Sequence, residues 1–131
     1  MFFAWDITIP ANTPKTTPVR QLLPIDFGLI TRIDIVFPAG CGGLVRIRLL
    51  RYESQLVPLN PASWLRGDDE TVPCEVYQEI YEAPAELKFE GGNEDDTYEH
   101  TIGVRINVIP KKKAPSITQI LEALKEKFVG T

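Results

Sequence analysis

Hydrophobic and polar residues alternate along most of this chain with a period of two, the pattern of a strand that buries one face. Phe3, Trp5, Ile7 and Ile9 alternate with Phe2, Ala4, Asp6 and Thr8 until Pro10 stops the run. Val19, Gln21, Leu23 and Ile25 continue the pattern more weakly. In Leu29–Phe37, the residues Leu29, Thr31, Ile33, Ile35 and Phe37 are expected to share the buried face, with Arg32 and Asp34 opposite. Leu44–Tyr52 sets Val45, Ile47 and Leu49 against Arg46 and Arg48, and Gln55–Leu59 is short enough to pair back on it. Val72, Cys74, Val76 and Ile80 oppose Glu75, Tyr77, Glu79 and Tyr81. Leu87–Glu90 is a short strand, and a final long one runs through Tyr98, His100, Ile102, Val104, Ile106 and Val108 to Pro110.

The intervals between these runs hold turn residues. Pro38–Gly43 and Gly91–Asp96 read as turns, the second as a hairpin loop. Pro10–Pro18 has three prolines and reads as an extended connector, whose prolines Pro14 and Pro18 are candidate contacts for another chain. About eight strands with no helix between them predict an all-β antiparallel sandwich, jelly-roll-like, over residues 1–110.

The pattern then changes. Residues 111–115 form a basic linker, and Ser116 with Gln119 makes a capping-box signature. Ile117, Ile120, Leu121, Leu124 and Phe128 fall on one face of an amphipathic helix over 116–131, ended by Gly130. About 13 residues is too short for a stable isolated helix in water, so the stripe needs a surface, either its own sandwich or a neighbour.

Composition sharpens the picture. The 131 residues suit one domain, and 44% hydrophobic with 24% charged residues fits a folded globular chain. The net charge is −4, unevenly placed: Asp68–Glu99 has twelve acids against Lys88, while Arg46, Arg48, Arg51 and Arg66 stand against Glu53 in Leu44–Arg66. An acidic chain with no basic stripe speaks against nucleic acid, and opposed patches suit contacts between protein copies. No apolar run reaches the ~20 residues of a membrane span, and the first residues lack a basic region ahead of an apolar one.

Candidate chemistry is sparse. The single histidine, His100, sits at an inward-phased strand position, which suits a structural role. Cys41 and Cys74 form no Cys-x-x-Cys pair and read as free thiols, with a disulfide between them left open. Asp68-Asp69-Glu70 and Glu94-Asp95-Asp96 have the oxygens of a calcium loop without its spacing. Neither a cofactor nor an enzyme is expected. Trp64, in a loop after Pro61, is the aromatic best placed for a surface contact, either with protein or with a sugar.

Ile9-Pro10-Ala11-Asn12-Thr13-Pro14-Lys15-Thr16-Thr17-Pro18-Val19, the strand end Val36-Phe37-Pro38-Ala39-Gly40-Cys41 and the stretch Asn93–Ile102 resemble small β-sandwich proteins encoded among tailed-phage virion genes. The resemblance implies a non-enzymatic virion component, a capsid decoration (cement) protein or head–tail accessory, made in the host cytoplasm. Its implied partners are copies of itself, as a trimer, and the major capsid protein or another virion protein. The second expectation is a carbohydrate-binding β-sandwich module on a tail or fibre.

Overall fold

The structure is a computed structural model that describes residues 1–111. Nine strands form in chain order: β1 (Phe2–Ile9), β2 (Val19–Pro24), β3 (Gly28–Phe37), β4 (Val45–Arg51), β5 (Ser54–Val57), β6 (Leu65–Arg66), β7 (Glu70–Ile80), β8 (Glu86–Asn93) and β9 (His100–Pro110). They make two antiparallel sheets, one ordered β1-β9-β3-β7, the other β2-β8-β4-β5 with the two-residue β6 also on β4. The all-β sandwich expected from the alternation is thus present. The expected helix, with Ile117, Ile120, Leu121, Leu124 and Phe128, lies outside the described residues.

One apolar core joins the inner faces of the two sheets. Ile7 and Ile9, Ile33, Ile35 and Phe37, Val45, Ile47 and Leu49, and the Ile102–Val108 alternation all point into it. Each such side chain contributes roughly 1.5–3 kcal/mol by leaving water, which is what the period of two encodes. Leu23, Leu87 and Phe89 bring the shorter β2 and β8 into the same core.

Three strand expectations need correction. Near the start of β3 the buried residue is Ile30, not Leu29 or Thr31, because the register shifts between Ile30 and Arg32 against both neighbouring strands. A bulge at Thr31 adds one residue and reverses the phase, so alternation read straight through it assigns the wrong face. Second, Gly91, Gly92 and Asn93 are not a hairpin loop. They extend β8, pairing with Ile47, Arg46 and Val45. A Cβ on Gly91 would lie 2.5 Å from Ile9 Cδ1 and 2.8 Å from Phe89 Cε1, so the residue is bare because a core ring and a core isoleucine occupy its side-chain space. Third, β9 begins at His100, and Tyr98 stands exposed before it.

The connector also differs from an extended arm. Thr13 pairs with Asn93 through both backbone bonds, 2.9 and 2.8 Å, and Thr17 N donates to Pro14 O at 3.1 Å to close a turn. Pro14 is exposed and Pro18 half-buried, so only part of the connector is open to another chain.

Candidate interaction surfaces

At one end of the sandwich four loops meet: the connector, the 38–44 turn, the loop around Asp68, and residues 94–99. Carboxylates and one amide organise them. Gly40, Gly42 and Gly43 carry positive φ angles of 101°, 57° and 75°, which only glycine takes cheaply. The amides of Gly40 and Gly42 both donate to Asp68 Oδ1, at 3.1 and 3.0 Å. Asp95 does the same in its loop, accepting from Thr97 N at 2.9 Å, Tyr98 N at 3.2 Å and His100 Nε2 at 2.9 Å. The ionised carboxylate can only accept, so His100 Nε2 carries the hydrogen. His100 thereby ties the start of β9 to the 94–99 loop.

Asn93 links this loop to the core. Its Nδ2 donates to Ile9 O at 3.2 Å and Tyr98 O at 2.9 Å, and its Oδ1 accepts from Asp95 N at 2.9 Å. The side chain is almost fully buried, and every hydrogen-bonding position it uses goes to backbone. Nothing in the local pattern signals this. Asn93 lies in an apparent turn sequence, and only the extension of β8 carries it inside. Asp68 and Asp95, one from each acidic triplet, are thus spent on backbone amides, and among the described residues no three His, Cys, Asp or Glu side chains gather as a metal site.

Hydrogen bonds from Thr97, then His100, then Tyr98 hold the Asp95 carboxyl below its ordinary range. A folded pKa below the unfolded value of about 3.9 adds stability above that value and loses it as pH falls through the folded pKa. Asp95→Asn is therefore expected to lower the melting temperature near neutral pH, with the gap to the parent closing below about pH 4. Melting curves across that range check it. Glu53, held low by Lys88 but exposed, is a control whose Gln variant should move the curve little.

Both cysteines are free thiols, Cys41 buried and Cys74 half-buried. Burial pushes both upward, with Asp68 adding to it for Cys41 and Asp34 for Cys74, so neither is a ready thiolate.

The charge segregation seen in the sequence is partly consumed within the second sheet. Glu90, nearly buried, accepts from Arg20 and Arg48, each at 3.2 Å, and Arg46 pairs with Glu94 at 3.3 Å. The Arg48 guanidinium lies 4.4 Å above the ring of Trp64. Trp64 is thus half-buried just before β6, a platform for Arg48 rather than an open aromatic. Arg51 reaches the inward phase at the other end of β4. It donates to the carbonyls of Glu82, Pro84 and Glu86, holding the 81–85 loop.

The free edges of the first sheet are unlike. Edge strand β7 carries Glu70, Glu75, Glu79 and Pro73, the devices that keep an edge from pairing with other chains. Edge strand β1 reads FFAWDITI, with one charge, Asp6, and no proline. Its Phe2 is 65% exposed, while Phe3 and Trp5 stack with ring centroids 6.1 Å apart and pack on the core. Among the described residues no helix is long and apolar enough to cross a membrane. No protein-family model and no curated protein matches the chain.

Proposed function

We propose that this chain is a non-enzymatic structural protein of a phage particle, which decorates or cements a capsid, or serves as a head–tail accessory, through contacts with copies of itself and with the major capsid protein. The observation that carries the reading is the β1 edge: eight residues, apolar, nearly uncharged and paired on one side only. A strand of this kind is a template for a strand of another chain. Where β1 of one copy meets a different surface of the next, the contact is head-to-tail and forms a ring if the rotation closes, and a trimer is such a ring.

The fold supports the same reading. We take the strand orders β1-β9-β3-β7 and β2-β8-β4-β5 as a jelly roll, an architecture of viral capsid and lectin domains. The lectin alternative has less support, because one face of the Trp64 ring already lies under Arg48.

Light scattering after size exclusion tests the contact. The expected mass is about three times 14.7 kDa. Ala4 is exposed, so Ala4→Lys should place a charge on the edge and yield a monomer with an unchanged far-UV circular dichroism spectrum, melting below the parent by the stability that assembly adds. A parent chain that is monomeric alone and does not bind capsids would overturn the reading.

A further inference from the structure

Strand β9 delivers the chain to a cleft whose chemistry complements residues 112–131. It finishes at Pro110, in the same row of the sheet as Gly28 and Ile80. Lys111 N then donates to Phe27 O at 3.0 Å, and Lys111 Nζ stands 5.0 Å over the ring of Tyr81. Tyr81 lines two adjoining hollows. One, of about 390 Å³, is bounded by Asp26, Phe27, Pro110 and Lys111. The other, of about 510 Å³, opens between edge strands β5 and β7, with Tyr52, Leu56, Leu59, Glu79 and Glu82 in its walls. Tyr81 therefore borders both the chain's exit and this second cleft.

The cleft is acidic and aromatic with an apolar wall. The one cation among its described wall residues, Arg51, lies 4.0 Å over the Tyr52 ring, with both terminal nitrogens spent on the carbonyls of Glu82, Pro84 and Glu86 and on Tyr52 Oη. Glu79 and Glu82 have no ion-pair partner among the described residues. Leu59 is 73% exposed and Tyr52 46%. The sequence that continues from Lys111 begins with Lys112 and Lys113 and then carries the apolar Ile117, Ile120 and Leu121. Two residues of chain span at most roughly 7 Å, which leaves Tyr81 within reach of Lys112 and Lys113.

We infer that the cleft between β5 and β7 is the docking site of the chain's own segment 112–131, with Lys112 and Lys113 meeting Glu79 and Glu82 beside the Tyr81 ring and the apolar residues beyond covering Leu56 and Leu59. The occupant is this chain rather than a second copy, because the exit already touches the cleft wall and a tethered segment has a high effective concentration there. The surface is distinct from the β1 edge, so it stands or falls separately from the capsid reading.

Zero-length carbodiimide cross-linking of the full chain tests it, read by peptide mass spectrometry on an equal mixture of ¹⁴N and ¹⁵N protein. Lys88 and Glu53, 2.9 Å apart, supply an internal positive control. The expected result is a link from Lys112 or Lys113 to Glu79 or Glu82 within one isotope class, formed in the same reaction as the control link. Absence of the link with the control present would overturn the proposal. So would a link found in mixed-isotope pairs, which would place a neighbour's segment in the cleft.

Discussion

Phe89→Ala should cost about 3–5 kcal/mol of folding stability, enough to remove much of what holds a domain of this size. Phe89 is wholly buried in the middle of β8, and its ring fills the space that a side chain on Gly91 would need, next to Ile9 Cδ1. Deleting it leaves a cavity walled by β-sheet residues that cannot collapse without breaking ladders. Chemical denaturation of the variant checks the magnitude. Phe2→Ala, at an exposed site on β1, should change stability by no more than about 0.5 kcal/mol. The Phe89–Gly91 pairing has a further signature. Gly91→Ala alone should over-pack the site by about 1–3 kcal/mol, and the penalty should shrink in a Phe89→Leu background. Additive costs would show that the ring and the bare glycine are not coupled.

Asn93→Ala should cost about 3 kcal/mol, and lower the melting temperature by about 10 °C. The substitution removes three hydrogen bonds and strands their partners, Ile9 O, Tyr98 O and Asp95 N, in a place water reaches poorly. Asn93→Asp is the sharper test. It keeps the shape and the acceptor for Asp95 N but has no donor for either carbonyl, so it should fall near the alanine variant rather than near the parent. An Asn93→Asp protein as stable as the parent would show that the two donated bonds carry little. Loss of Asn93 should also loosen residues 94–99, read as faster amide exchange at Thr97 and Tyr98.

These two side chains separate what local sequence encodes from what it does not. Phe89 is legible only as a member of a short alternating strand, because Gly91 and Gly92 look like the end of a strand to any local reading. Their bareness is explained by a ring on the same strand and an isoleucine at the end of β1. Asn93 and Asp95 look like loop polarity for the same reason. Their role depends on Thr13 and Ile9 arriving from the other end of the chain. The Thr31 bulge is a smaller instance: a single inserted residue costs nothing in composition and leaves no mark on hydrophobicity, yet it exchanges the faces of Leu29 and Ile30.

The candidate surfaces divide in the same way. That β1 is apolar and β7 acidic is readable directly from FFAWDITI and from Glu70, Glu75 and Glu79. That both are edges is not, because edge status is a property of the sheet order β1-β9-β3-β7 and not of either strand. Likewise, Arg46 and Arg48 are visible as a basic patch, but their engagement with Glu94 and Glu90 comes from β4 lying beside β8.

Local pattern is enough to specify an all-β body over residues 1–111, its main strands, and most residues on their buried faces. Alternation with a period of two is a local consequence of the pleat, and burying one face is the main source of free energy available to it. Which strands are edges, which polar residues are drawn inside, and where the chain leaves the body beside Tyr81 were fixed only by the folded sandwich. Those features depend on pairings across tens of residues, set by the closing of two sheets over one core rather than by any stretch of the chain in isolation.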